Sequence, residues 1–491
     1  MRRMVGGLTG GSLCKVTALA LAALWVAAVF MLPSFTFAED WPKYRRDLNN
    51  SGLSAETFLS SANVSSLALK WKYSPGGYIS ASPAVATVNG ESMVFLGAWN
   101  GTFTALDAVT GALKWQFQID AVTSCNQDSC TRIGSSAAVD SGMVYFGAAN
   151  GYFYALNAST GALVWKIQEG DPNQGYEVWA SPLIYRGIVY YGVASHTGVP
   201  CVQGRVIARV AATGAPIWTF STLDQRTCPS GTCVGGDVWA SPALDTQFGT
   251  LFVGTGNPGA AGCTPASADA TLYPDSILAL NPITGQLMNY FQSVPQDQLD
   301  QDFGSSPVLH QTEQYNFNSN AFSINYWVTE ASKDHSVYTL PRGLGGLAST
   351  KAQAVNLQSQ IIASPAVRPI IGYPAPGVMG IGNDIWVPTD GGTLAAIQQD
   401  TYGNTTLLGW ITASASNSAP ALINDLLFYG NNAGDLVAVT TQSTSTGLGG
   451  GTVVYTYVTG GPVWSGPAIS NGRIYFGSTD TYVYCLSIGG N

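Results

Sequence analysis

The sequence predicts an all-β fold, an eight-bladed β-propeller of four-stranded antiparallel blades. Three observations carry this expectation: a repeated strand–turn–strand unit, a short small-residue marker that recurs eight times, and a composition in which glycine and small polar residues stand where charge usually does. Charged residues make up 10% of the chain against roughly 25% in ordinary soluble domains, and there are 57 glycines, which suits many strands joined by tight turns.

The first unit aligns at residues 101–115 (GTFTALDAVTGALKW), 151–165 (GYFYALNASTGALVW) and 204–218 (GRVIARVAATGAPIW). A fourth copy, 275–289, keeps the pattern but has Asn289 in place of the tryptophan. Each reads as an alternating strand, an Asx/Thr-Gly turn and a second strand ending in tryptophan. That tryptophan is expected to be a packing wedge between blades rather than a ligand contact.

The second marker is a strand start such as ASPAV (81–85) or SSPVL (305–309). Taking its proline or equivalent as the mark gives positions 83, 137, 182, 242, 307, 365, 420 and 467. Successive marks are 45 to 65 residues apart, enough for four short strands and their loops. No such sheet buries both faces alone, but sheets stacked radially do. Residues 41–52 and 69–73 precede the first mark without a blade of their own, and the chain ends one strand short at 482–488. The N-terminal segment is therefore expected to complete the last blade, so that residues 39–491 form one domain.

Residues 1–38 read as an export signal: Arg2, Arg3 and Lys15, an apolar run from Val16 to Phe30, and an exit at Thr36-Phe37-Ala38. An uncleaved anchor is the alternative, because 16–38 is nearly long enough to span a bilayer. Arg2-Arg3 alone only hints at twin-arginine export. The expected location is secreted, periplasmic or cell-surface, with no membrane span once the signal is removed. Without this segment the net charge moves from −9 to −12 as three basic residues leave, which argues against a nucleic-acid partner.

Seven cysteines then remain. Cys125/Cys130 and Cys228/Cys233 share one short spacing and read as local disulfides in an exported chain. Cys201 and Cys263 are candidates for a third bridge, and Cys485, on an apolar strand, for a buried free thiol. No CxxCH is present, so no c-type haem is attached. The three histidines, His196, His310 and His335, show no metal-ligand spacing, which disfavours structural zinc or a Ser-His-Asp triad. Trp179 and Trp464 precede blade starts as Trp239 does, and are expected to face the central channel as a ligand funnel or a plug.

The repeat xxLxALDAxTGxxxW resembles that of the pyrroloquinoline quinone (PQQ) dehydrogenases, the alcohol dehydrogenases and the polyvinyl-alcohol dehydrogenase group. The likeness covers essentially the whole chain after residue 38. Non-catalytic propellers carry the repeat too, so a binding scaffold for protein, glycan or small ligand is the competing function. A narrower likeness lies in DVWASPALDTQFGTLFVGTGNPG (237–259). There the resemblance implies that Trp239 is the floor on which PQQ stacks and that Asn257 is a Ca²⁺ ligand. The segment 293–309 resembles the stretch bearing the catalytic aspartate, which places Asp300 as proton acceptor and calcium ligand, although Leu299 replaces the usual tryptophan. Asp300 also belongs to an acidic loop with Asp297 and Asp302, where a solvated role is equally open. In 330–343, Lys333 matches the cation that hydrogen-bonds the quinone carbonyls, with a surface ion pair as its alternative.

The sequence departs from the family pattern in three places. The adjacent Cys-Cys pair is absent. The calcium-binding glutamate expected in 193–205 is missing, with Val199 nearest its place. The arginine expected to hold the cofactor anion has Ser135 in its register; Arg132, three residues upstream, is the nearest candidate, and Arg205 lies one position late in its own motif. The resemblance implies oxidation of an alcohol, polyol or sugar with PQQ and Ca²⁺, electrons leaving to a separate acceptor.

Overall fold

A computed structural model describes residues 39–122, 125, 130–195, 202–223, 235–258, 273–295, 297, 299–375, 378–441 and 451–489. Their fold is all-β, with antiparallel sheets of four strands as the repeating element. The second repeat shows the pattern: Ala138–Asp140, Met143–Gly147, Tyr152–Asn157 and Leu163–Gln168 pair in sequence order. Its third strand is buried through its centre, whereas the fourth alternates exposed and half-buried residues. The middle strands are covered on both faces, and the outermost has one face in water.

Strands of the fifth and sixth repeats join into one nine-stranded sheet, because Val308–Asn316 and Val378–Pro388 are long enough to pair through Glu313–Asn316. The last three strands of the chain are joined by Leu67–Tyr73, antiparallel to Val483–Ile488. Residues 41–54 take a different course from the one expected. Their backbone reaches Val85, Val139, Leu244, Leu309 and Leu422 in turn, and Leu53–Ser54 pairs in parallel with Leu422–Ile423. This stretch therefore visits the starts of five repeats instead of extending one sheet. Buried Asn50 donates to the carbonyls of Ser241, Pro242 and Pro307, and Arg45 donates to those of Pro365 and Pro420.

Two contacts recur between neighbouring repeats. The tryptophan expected to end its strand is instead the third residue of a six-residue strand, as in Leu113–Gln118 and Pro216–Ser221. It lies against the next turn glycine: a Cβ on Gly161 would stand 2.6 Å from Trp115, and one on Gly285 2.6 Å from Trp218. Each indole also donates to a carbonyl beyond that interface, Trp115 to Ala158 and Trp218 to Pro282. The glycine is required twice over, by this approach and by its left-handed backbone, with φ of +73° at Gly161. Asn289, which replaces the tryptophan, reaches across by exchanging hydrogen bonds with the backbone of Leu347.

The second contact is a series of serine bridges at the residue before each mark. The amide of Ser82 donates to Oγ of Ser136 at 2.9 Å, and the same step runs from Ser136 to Ser181, Ser181 to Ser241, Ser241 to Ser306 and Ser306 to Ser364. Gly466 in the last repeat donates to Ser82 in the first. The series lapses where Ala419 and Gly466 have no hydroxyl, and there the guanidinium of Arg45 bonds the neighbouring carbonyls instead.

Candidate functional site

The residue five before each mark starts a short segment whose next side chain is clamped. Ile133, Val178, Val238 and Phe303 are fully buried, and three of them lie against strand-end glycines: Cβ atoms on Gly97, Gly147 and Gly192 would collide with Ile133, Val178 and Val238. The preceding residues on these four consecutive repeats are Arg132, Glu177, Asp237 and Asp302. A chain poor in charge has thus placed four buried charges at one repeat position.

Nη2 of Arg132 donates to Oε2 of Glu177 at 2.8 Å, and its guanidinium lies 5.2 Å from the Trp99 ring and 4.9 Å from that of Trp179. Both side chains of the pair are withdrawn from solvent. Asp237 accepts from the amide and hydroxyl of Ser195 through Oδ2, while its buried Oδ1 has no hydrogen-bond partner among the described residues. Asp302 pairs with Lys333 at 3.0 Å and accepts from the Trp239 indole at 3.4 Å.

Around Lys333 the structure gathers three other residues expected from the sequence, Trp239, Asn257 and Asp300. The ammonium lies 5.0 Å from the centroid of Trp239 and 2.9 Å from Oδ1 of Asp300. Nδ2 of Asn257 donates to that same Oδ1 at 3.2 Å. Asp300 keeps its side chain 60% exposed and has a left-handed backbone (φ +62°), whereas Lys333 is largely covered. Asp297 orders this loop by accepting from the amides of Leu299 and Gln301. Arg132 stands apart, connected to this group through Glu177 and Asp237.

Burial dominates the ionisation here. It pushes Asp237 up to about 7 against its bonds from Ser195, and Glu177 up to about 7 against the attraction of Arg132. Asp302 rises to about 6, burial outweighing Lys333. Burial acts on Lys333 in the opposite sense, but Asp302 and Asp300 together hold its ammonium above the usual range. Two further buried acids lie outside this row. Asp275 is raised to about 10 by burial and then by Asp297 and its neighbours, and Glu330 is raised well above its ordinary value by burial. Among the described residues neither has a hydrogen-bond partner on either side-chain oxygen. The sequence reading missed Glu177, Asp237, Asp275 and Glu330. Aligning the residues five before each mark exposes the first two, and Glu330 stands out because its strand register elsewhere holds Phe146, Tyr191 and Val253.

The donor set fits the cofactors that the resemblance implies. An indole face with an ammonium beside it suits a planar ring bearing anionic groups. The Asn257 amide and the Asp300 carboxylate are hard oxygen donors, and the unpaired Oδ1 of Asp237 is a third such oxygen in this region. Among the described residues no group of three or more His, Cys, Asp or Glu is arranged as a metal cage, so a bound Ca²⁺ needs oxygens from the cofactor or water as well.

Cys125 and Cys130 are joined by a disulfide, and Cys485 is a buried free thiol. The expectations for residues 1–38, Val199, Cys201, Cys228, Cys233, Cys263 and His196 lie outside the described residues. Among those described, no helix is long and apolar enough to cross a membrane. Trp179 and Trp464 both line an axial cavity of about 410 Å³ together with Trp99 and Trp239.

Residues 41–348 match the PQQ family described as the glucose/ethanol/alcohol dehydrogenase β-propeller domain. The quinohemoprotein alcohol dehydrogenase ADH IIB of Pseudomonas putida is 28% identical over 408 residues, covering 74% of this chain and 56% of that protein. A polyvinylalcohol dehydrogenase of a Pseudomonas species is 23% identical over 306 residues, 55% of this chain and 46% of the relative. The chain spans about half the length of the curated relatives it matches. The crystal structure of the quinohemoprotein alcohol dehydrogenase from Comamonas testosteroni superposes with a TM-score of 0.71 at 20% identity, over 96% of this chain and 85% of that one, a likeness of fold.

Proposed function

The chain belongs to the PQQ family of glucose, ethanol and alcohol dehydrogenase β-propeller domains, and on that premise we propose that it is an exported quinoprotein oxidoreductase. In this reading residues 39–491 form one eight-bladed domain, with Leu67–Tyr73 completing the last blade. The domain acts in the periplasm or outside the cell on an alcohol, polyol or sugar, with PQQ and Ca²⁺, and passes electrons to a separate acceptor.

The observation that carries the reading is the convergence of Trp239, Asn257, Asp300 and Lys333 on one site. PQQ, when bound, supplies a two-electron acceptor for hydride. Trp239 offers the face for the ring and Lys333 positive charge for its anionic groups, while Arg132 is engaged by Glu177. Asn257 and Asp300 are the oxygen donors for Ca²⁺. The exposed carboxylate of Asp300 is open to a substrate hydroxyl and takes its proton, while the bonds from Lys333 and Asn257 hold that carboxylate in place. Asp302, buried on the other side of Lys333, fixes the ammonium over the indole.

The test is an absorbance titration of the purified chain with PQQ, with and without Ca²⁺. Saturable calcium-dependent binding that Trp239→Ala weakens supports the reading; no binding under either condition removes it. One observation favours a non-catalytic binding propeller instead: Lys333 is already paired with two carboxylates above the platform. A chain that takes up no quinone yet retains a ligand or partner would decide for that second reading.

A further inference from the structure

The axial cavity of about 410 Å³ does not belong to the charged site. Its walls include Trp99, Trp179, Trp239 and Trp464, but neither Lys333 nor Asp300, Asp302 or Asn257. Below the indoles come the bridging serines, and Tyr44, from the N-terminal segment, borders the cavity and bonds Oγ of Ser364 at 2.9 Å. At a water's share of about 30 Å³ the space has room for roughly a dozen waters, and it falls within the ordinary ligand-pocket range of about 300–1,000 Å³.

The lining sets the chemistry. No charged side chain contributes to it, so a carboxylate, phosphate or ammonium would enter without a counter-charge and lose its hydration. A purely hydrocarbon guest would fit the indoles but leave the hydroxyl belt unanswered. Each belt serine accepts an amide proton from the preceding repeat, so its own O–H is left to donate. Asn417, at the same level as the indoles, adds a buried Oδ1 with no hydrogen-bond partner among the described residues. Indole faces that pack C–H groups, combined with hydroxyl donors and an amide acceptor, match one class of molecule.

We propose that this chamber binds an uncharged polyhydroxylated molecule, a linear polyol or a carbohydrate unit, with its C–H faces on the tryptophans and its hydroxyls on the serine belt. The chamber shares the Trp239 indole with the quinone site but none of that site's charged or oxygen-donor groups, and the inference does not depend on catalysis. It reads binding on the chain without cofactor.

The experiment is saturation-transfer NMR and tryptophan fluorescence on the purified, cofactor-free chain, titrated with xylitol, pentan-1-ol and xylonate. Xylitol is expected to bind saturably, and the other two at least about tenfold more weakly, because each leaves buried groups unpaired. Ala419→Leu fills the chamber, and Asn417→Leu removes its acceptor at nearly constant size. Both are expected to weaken xylitol binding with the melting temperature held within a few degrees, and either variant alone suffices if the other fails to fold. No saturable xylitol binding, equal binding of all three probes, or wild-type affinity in a folded Ala419→Leu chain would overturn the proposal.

Discussion

Arg132 and Glu177 form an ion pair of 2.8 Å from which solvent is excluded, and two tryptophans, Trp99 and Trp179, flank its guanidinium. The pair joins adjacent repeats at the axis. Asp237 adds a second carboxylate close enough to raise Glu177 further. Arg132→Ala leaves a buried carboxylate without its counter-ion, and the expected loss is about 3–5 kcal/mol of stability. Arg132→Met combined with Glu177→Leu should recover most of it, since a well-packed apolar pair avoids the desolvation cost. Denaturant unfolding of the three chains measures this. An Arg132→Ala chain as stable as the parent would mean that the pair contributes nothing net.

Gly161→Ala tests the contact between repeats. The added methyl meets the Trp115 ring at 2.6 Å, on a backbone with φ of +73°. Overpacking and the left-handed conformation together should cost about 2–4 kcal/mol. Gly142→Ala serves as the control: its φ is similar, +77°, but nothing lies within 4 Å of the new methyl. Thermal melts of both variants separate the clash from the backbone term.

The ligand-free chain should lose stability as pH rises from about 4 to about 7. Glu177 and Asp237 each have a folded-state value raised to about 7 by burial. A raised acid keeps its proton in the folded chain after the unfolded chain has released it, so the folded state binds more protons across that window and stability falls with pH. Asp275, raised to about 10, extends the fall beyond neutrality. Melting temperatures at pH 5, 6 and 7.5 should therefore decrease in that order. An increase would show that these carboxyls are ionised and paired in solution.

Within the proposed activity, Lys333→Met removes the cation that holds Asp300 and Asp302 together over Trp239. The expected effect is a loss of about 10²-fold or more in kcat, the scale of deleting one preorganised electrostatic donor. Asp300→Asn should reduce kcat similarly while leaving PQQ binding in place, because the amide retains an oxygen but takes no proton. Steady-state kinetics beside the PQQ titration distinguish the two effects. Full activity in the reconstituted Asp300→Asn chain would remove Asp300 from the mechanism.

The sheets were legible because their signals are local. The alternation of 152–157 and the Asx-Thr-Gly turn act within one repeat, and the small-residue marker that recurs eight times makes the pattern hard to mistake. Trp239, Asn257, Asp300 and Lys333 were legible through a resemblance rather than through spacing. Their juxtaposition was not readable, since they come from four separate segments that meet only when the fourth and fifth repeats pack. Glu330 escaped notice because an acid on a strand reads as solvent-facing until its pairing with Tyr338, one place past the Thr329–Val308 pair, shows that it fills a core position.

By itself the sequence determined the all-β class and the repeat, because strand alternation and left-handed turns depend on neighbours a few residues away. It marked the tryptophan as a wedge between repeats, but its seat on the next repeat's turn glycine is a tertiary contact. The tertiary structure alone decided the path of residues 41–54 and the axial row of charges. Asn50 bonds carbonyls some 190 to 260 positions further along the chain, and nothing in its local sequence distinguishes that from a solvated turn. Arg132, Glu177, Asp237 and Asp302 become neighbours because stacked repeats bring one repeat position to one axis, where burial changes what each charge can do.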